Sequence, residues 1–184
     1  MVPAMCRHPG EISHEGVMGL VLRYLRPGGE VLDVGCGDGR ILELLAAKGV
    51  RGLGVDPWPR GGSVPCVRLR AEEIGSLGRK FALIYTFHSL HHFADPQRFI
   101  HEARAALEPG GILLIVDWIA GAHTGVRERY FRPEEVKGWL MAAGFELIEE
   151  GTKGQSMILV ARSPFIQRGK ADGISPTLPG GGRG

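Results

Sequence analysis

The chain has 184 residues, 43% of them hydrophobic, enough for one domain with a sizeable core. Its 22 basic and 20 acidic residues leave a net charge of +2, and the basic residues are scattered, which excludes the electrostatic footprint of a nucleic-acid binder. No apolar run approaches a transmembrane length, and the N-terminal MVPAMCRHPGEI lacks the apolar stretch of a signal peptide, so a soluble cytoplasmic protein with no membrane partner is expected.

Strand and helix signals alternate along the chain. His14 to Leu25 reads as a helix, with Val17, Leu20, Val21 and Leu25 at helical spacing, before RPGGE forces a turn. Glu30 to Val34 reads as a buried strand, Ile41 to Lys48 as a helix stopped by Gly49, and Arg51 to Val55 as a second strand. Val64 to Leu69 and Phe81 to Thr86 are the third and fourth strands. Pro96 to Leu107 is a helix that EPGG stops, and Ile112 to Trp118 is the most apolar strand. Pro133 to Ala143 is a helix that opens on proline and ends before Gly144. Phe145 to Glu149 and Ser156 to Ala161 close the pattern. Only a short GTKG link joins them, so they are expected to be antiparallel neighbours. The alternation implies an α/β fold with a doubly wound, Rossmann-like sheet, mostly parallel with an antiparallel last strand. The domain is expected over residues 1–162. Residues 163–184, rich in Pro and Gly, bury too little apolar surface to offset their ordering entropy and read as a disordered tail.

Two compositional points bear on chemistry. Cys6, Cys36 and Cys66 stand far apart with no CxxC pair, which argues against a cysteine zinc site and suits a reducing compartment. The chain contains no asparagine, three glutamines and far more arginine than lysine. Heat adaptation and GC-rich coding both produce that bias.

The first strand runs into VLDVGCGDGR, a glycine loop at the start of a helix. A nucleoside-triphosphate loop would need GxxxxGK followed by Ser or Thr, which is missing. The dinucleotide fingerprint GxGxxG would put its third glycine at Arg40, where a long side chain obstructs helix–strand packing. The loop instead spells GxGxG through Gly35, Gly37 and Gly39. Asp38 stands where the helix begins and would repel a pyrophosphate; Asp33 adds further negative charge. Two acids around a glycine loop suit a cationic ligand, and S-adenosylmethionine carries a sulfonium and an ammonium with no phosphate.

At these residues the chain resembles the class I S-adenosylmethionine-dependent methyltransferases. VLDVGCGDGR is similar to their first motif, GVDP to the acidic end of the second strand, and FALIYTFHSLHHFADP to the fourth strand and loop of the small-molecule branch. LEPGGILLIVDW is similar to the fifth strand, and FRPEEVKGWLMAAGFELIE to the last helix and its strand. The ordered series covers roughly Glu11 to Arg162 and is far more specific than any one motif. The resemblance implies S-adenosylmethionine as cofactor and a small-molecule methyl acceptor. Gly35, Cys36 and Gly37 would let the backbone approach the cofactor, and Asp33 would hold its ammonium group. Asp56, about twenty residues past the loop and followed by Pro57, would accept the ribose hydroxyls. Ala71 and Glu72 would flank the adenine, and Thr86 ends the fourth strand beside the cofactor.

Two departures from the family stand out. Arg70 occupies a position that usually carries an acid, and DPWPRGGS leaves no room for the usual helix between the second and third strands. Trp58 can fill the resulting gap by stacking or can pack on the sheet edge. His88, His91 and His92 form HxxHH, a spacing that resembles metal ligands on a helix. Relatives carry similar loops without metal, so no metal is expected. His88 is the candidate general base, and Asp117 the candidate contact to the acceptor. YTFH replaces the (Asp/Asn)PPY loop of amide and amine methylation. The lid region, Ile119 to Arg132, is short; Tyr130 and Phe131 either cover an acceptor or staple the next helix. Alternatives to the enzyme are a cofactor-binding subunit or sensor without catalysis, and a nicotinamide oxidoreductase, which Asp38 and Arg40 disfavour.

Overall fold

The computed structural model describes residues 10–165. The segment 166–184 of the expected tail, together with Cys6, lies outside the described residues. At the boundary, Ser163 and Pro164 still pair with the sheet: Ser163 donates its N–H to Gly111, and the Pro164 carbonyl accepts from Gly110.

Seven strands form one sheet in the order β3-β2-β1-β4-β5-β7-β6. They are β1 (Glu30–Val34), β2 (Arg51–Asp56), β3 (Cys66–Arg68), β4 (Phe81–Phe87), β5 (Leu107–Trp118), β6 (Glu146–Lys153) and β7 (Ser156–Arg162). The pairs from β3 to β5 are parallel, and β7 is antiparallel to both β5 and β6. The doubly wound sheet with an antiparallel closing hairpin is therefore as the sequence implies. The strand β5 begins earlier than Ile112. Leu107 pairs with Phe81 and Ile112 with Leu83, so Glu108–Gly111 bulges instead of ending the preceding helix.

Four helices cover the two faces: α1 (His14–Tyr24), α2 (Arg40–Ala46), α3 (Pro96–Ala106) and α4 (Pro133–Ala142). Ser13 caps α1 by accepting from Gly16, and Asp95 caps α3 by accepting from Arg98 ahead of Pro96. On one face α1 and α2 bury Val17, Val21, Ile41, Leu42 and Leu45 against Val31, Leu83 and Leu114. On the other, α3, α4 and a 3-10 segment (Ala71–Leu77) bury Phe99, Ile100, Val136, Leu140 and Ile74 against Leu32, Ile84 and Leu113. Because β1, β4 and most of β5 are covered on both sides, they read as continuous apolar runs.

The missing helix between β2 and β3 is indeed missing. A parallel pair normally needs a longer crossover with its own helix. Here residues 57–65 instead lie over the glycine loop and the start of α2. Arg60 donates its N–H to the Gly37 carbonyl, and Ser63 donates both N–H and O–H to Glu43 on α2. A Cβ on Gly39 would stand 2.8 Å from Val64, and one on Gly62 would stand 2.7 Å from the Asp38 carbonyl oxygen. The crossover takes the place of a helix by packing on an existing one.

The two aromatics before α4 separate. Phe131 is 5% exposed, packs edge-on against Trp139 and pairs its backbone with Ile119 and Ala120. It staples the helix. Replacing Phe131 by Ala should cost about 3–5 kcal/mol and lower the melting temperature by roughly 10 °C. Calorimetric melting checks this; a change of less than a couple of degrees would remove Phe131 from the core.

Candidate functional site

The C-terminal ends of β1, β2, β4 and β5 share one edge of the sheet, where a doubly wound fold places its ligand crevice. The glycine loop leaves β1 there, with Gly35, Gly37 and Gly39 all at positive φ. Gly35 is required by contact as well as conformation. Its Cβ would stand 2.5 Å from that of Ser89, whose hydroxyl donates to the Gly35 carbonyl. The start of the β4 loop is thereby locked against the glycine loop.

Asp33 lies beneath this loop, 3% exposed. Its only side-chain partner among the described residues is the Tyr85 hydroxyl, which donates at 2.9 Å. Burial pushes the Asp33 carboxyl up to about 7; the Tyr85 bond counters this, and Asp56 and Asp38 add to it. The same burial, with Asp33 as neighbour, pushes Tyr85 well above the usual range of a phenol. Among the described residues no basic side chain contributes to the environment of Asp33.

Asp56, at the end of β2, accepts from Gly37 N–H at 3.0 Å and from Trp58 N–H at 2.8 Å, one on each oxygen. These bonds aim the carboxylate across the loop and leave lone pairs on both oxygens. The adjoining cleft, of about 110 Å³, is lined by Gly35, Pro57, Trp58, Arg70, Ala71 and Glu72 among others. Glu72 is buried, and one of its oxygens accepts from Asp95 N–H, tying the adenine wall expected from sequence to the loop after β4. Trp58 is 72% exposed, so it stands at the mouth and not on the sheet edge. Thr86, fully buried at the end of β4, has a hydroxyl without a hydrogen-bond partner among the described residues.

A family model described as a methyltransferase domain matches residues 12–150. The chain belongs to this family. Members are class I enzymes whose cofactor is S-adenosylmethionine, and this chain shares it. Among curated proteins it is 29% identical to the ubiquinone biosynthesis O-methyltransferase of Azorhizobium caulinodans, over 69% of this chain and 63% of that one. It is 32% identical to the protein of the same name from Methylobacterium sp., over 59% of this chain and 46% of that one. The chain thus spans less than two thirds of the length of these relatives. Among solved structures, it resembles the 1,6-didemethyltoxoflavin-N1-methyltransferase of Burkholderia thailandensis with a TM-score of 0.65 and 21% identity, covering 82% of this chain and 76% of that one. That likeness concerns the fold alone.

The residues fit the methyltransferase cofactor on two observations of their own. A buried acid without a counter-charge lies below a loop of positive-φ glycines, and a cleft runs from Gly35 of that loop, past Val55 and Pro57 on either side of Asp56 in sequence, to Ala71 and Glu72. One feature was not foreseen from sequence. The sulfurs of Cys36 in the glycine loop and Cys66 at the start of β3, 30 residues apart in sequence, meet across Gly54. Gly54 makes the approach feasible: a Cβ there would lie 2.6 Å from the Cys36 sulfur and 3.1 Å from that of Cys66.

The histidines do not share a helix face. His88 continues β4, donating its N–H to Val116, at φ +48, an uncommon value for a residue with a Cβ. Its ring stacks between Phe87 and Trp118, with centroid distances of 4.1 and 3.8 Å. Burial, with His91 and His14 nearby, drives its pKa down to about 3. It is neutral at physiological pH and a poor proton sink, which removes the ground for a general base. His91 and His92 sit on a separate 3-10 turn (Leu90–His92). His91 Nδ1 lies 2.7 Å from Asp117, and its Nε2 lies 3.2 Å from Glu128 of the lid. Asp117 also accepts from the N–H groups of His91 and Trp118 and is fully buried. It therefore holds the β4 loop to β5 and presents no free oxygen face to an acceptor. Among the described residues the donor atoms that gather within 4.8 Å belong to His91, His92 and Glu128, and these are the side chains that could hold a metal ion. Tyr130 meets His91 edge-on and bonds Thr124 and Glu128, so it belongs to the lid, unlike Phe131.

Asp33 gives a pH dependence with a definite sign. Its folded-state pKa, about 7, is raised, so the protonated acid stabilises the ligand-free protein below the ordinary carboxylate range, and that stability is lost as pH rises through about 7. Melting temperature of the ligand-free protein should therefore fall between about pH 4 and 7 and level off above, and Asp33→Asn should flatten this fall. S-adenosylhomocysteine, which keeps the ammonium group, should bind about tenfold more weakly per pH unit below about 7. Calorimetric titration at several pH values checks the second half; pH-independent affinity would detach Asp33 from the ammonium.

Proposed function

We propose that the protein transfers a methyl group from S-adenosylmethionine to a hydroxyl oxygen of a small-molecule acceptor. The observation that carries this reading is the uncompensated buried acid Asp33 beneath a positive-φ glycine loop, with Asp56 across it. The hydroxyl as acceptor group is supported by the O-methyltransferase names of relatives near 30% identity.

In this reading Asp33, ionised once a cation lies beside it, holds the ammonium group. Backbone groups of Gly35, Cys36 and Gly37 line the amino-acid portion. The lone pairs that Asp56 retains receive the ribose hydroxyls, with Pro57 stiffening the turn. Ala71 packs on the adenine and the second oxygen of Glu72 faces its amino group, in place of the acid that Arg70 displaces. Thr86, near the end of β4, keeps a buried hydroxyl without a partner among the described residues, which is assigned to the cofactor in this reading. Trp58 closes the mouth by stacking. Bound S-adenosylmethionine supplies a methyl group already activated at its sulfonium.

The chain's own residues orient the acceptor and exclude water. The acceptor lies between the loop Phe87–Leu90 and the lid, which Glu128 and Tyr130 clasp to His91. Asp117 acts on the site through His91 and the loop it holds, as a positioning residue and not as a contact.

Binding tests the cofactor half. S-adenosylhomocysteine should bind and NAD should not. Asp56→Ala should weaken S-adenosylhomocysteine about ten- to a hundredfold, the effect of unpaired buried donors. Tighter binding of NAD would sink the reading. The acceptor half is tested by a screen of hydroxyl compounds with radiolabelled methyl donor, and methylation confined to amines would refute the hydroxyl assignment.

A further inference from the structure

A second set of polar residues stands on the same strand edge, outside the cofactor cleft. Glu11 precedes α1, Ser156 opens β7, and His88 follows β4. One Glu11 oxygen accepts from Gln155 N–H at 2.8 Å, and the other from the Ser156 hydroxyl at 3.2 Å. The Ser156 oxygen lies 2.8 Å from His88 Nε2. The arrangement is built. Ser156 is fully buried, and Gly154, at φ +59, is the residue against which the Glu11 carboxylate rests, with a virtual Cβ 2.5 Å from its carboxyl carbon. Any side chain at 154 would expel Glu11.

The donors and acceptors in this chain settle one another. A carboxylate only accepts, so the Ser156 proton points to Glu11. The Ser156 oxygen is then free to accept, and His88 Nε2 must carry the proton. His88 Nδ1 is left with a lone pair. Among the described residues it is neither bonded nor buried. The ring cannot turn away, because Phe87 and Trp118 stack on both of its faces. The backbone at φ +48 is a strained conformation of the kind that concentrates at functional sites. His88 leaves β4 at the strand edge where the glycine loop also lies, and the next residue, Ser89, touches Gly35 of that loop.

We propose that the Glu11–Ser156–His88 chain fixes His88 as its Nε2–H tautomer so that the Nδ1 lone pair receives the acceptor's hydroxyl proton in a hydrogen bond, which makes the site selective for hydroxyl-bearing acceptors. The inference rests on the methyl-transfer reading and names the group that would recognise the acceptor. His88 holds this hydroxyl by a hydrogen bond and takes no proton from it: as the oxygen–methyl bond forms and the sulfonium–methyl bond breaks, the hydroxyl proton is released to solvent. Its burial keeps the ring neutral, so Nδ1 remains an acceptor throughout the neutral range. Glu11 and Ser156 are positioning residues; His88 touches the acceptor.

The full chain labelled with 15N at histidine tests this, with phenol as a hydroxyl probe and anisole as the same ring without a donor. His88 is assigned by the loss of its signals in His88→Gln. Calorimetry first establishes that S-adenosylhomocysteine binds; failure there would overturn the methyltransferase reading itself. At saturating S-adenosylhomocysteine, His88 should show a pyrrole-type Nε2 and a pyridine-type Nδ1. Millimolar phenol should move Nδ1 upfield and anisole should leave it in place. Ser156→Ala should mix the tautomers and reduce the phenol response severalfold, while S-adenosylhomocysteine affinity stays within twofold. A proton on Nδ1, a signal that ignores phenol, or equal responses to phenol and anisole would each overturn the proposal with the cofactor reading intact.

Discussion

Every polar group of the site stands where it does because β2, β1, β4 and β5 are parallel neighbours and end on one edge. Inside the sheet, backbone pairing and two apolar faces leave no room for unpaired polar atoms. At the edge the pairing stops, and Asp33, Asp56, His88 and Asp117 occur within a residue or two of the strand ends. Asp33 makes the site. It lies in paired strand between Gly54 of β2 and Tyr85 of β4, buried from water and without a basic partner among the described residues. A group that must charge to bind a cation is stored in a place that resists charge. In the proposed function the ligand's own ammonium group resolves that conflict.

The short crossover from β2 to β3 shows how a lost element is compensated. With no helix of its own, the segment 57–65 uses α2 and the glycine loop as its packing surface, through Arg60, Ser63 and Val64. The Cys36–Cys66 contact lies across the same seam and sets the loop against the edge strand. The cofactor loop is therefore held from three sides: Ser89 from β4, Arg60 from the crossover and Cys66 from β3. The mouth of the cleft, where a helix would have stood, is left to Trp58.

The HxxHH run illustrates how spacing alone misleads about environment. His88 is a strained residue at positive φ between two aromatic rings, whereas His91 is clasped between two carboxylates and His92 is half in solvent. Their separation follows from the change of backbone at His88, from strand to positive φ, before the 3-10 turn begins. The network through Glu11 and Ser156 is likewise assembled from residues 145 positions apart in sequence.

By itself the sequence determined the alternation of elements, the parallel sheet with its antiparallel hairpin, the glycine loop, the two acids beside it and the absent helix. These are legible because they depend on local conformation and on periodic burial, which a chain writes residue by residue. Only the tertiary structure decided the rest. Phe131 and Tyr130, adjacent in sequence, go to the core and to the lid because the bridge to Ile119 points one inward. Asp117 becomes a brace and not an acceptor contact because three donors converge on it. His88 loses its basicity because Phe87 and Trp118 enclose it, and Cys36 finds Cys66 because Gly54 leaves the space between them. Protonation, pairing and direction depend on neighbours in space, and those neighbours come from segments whose mutual distance no local pattern records.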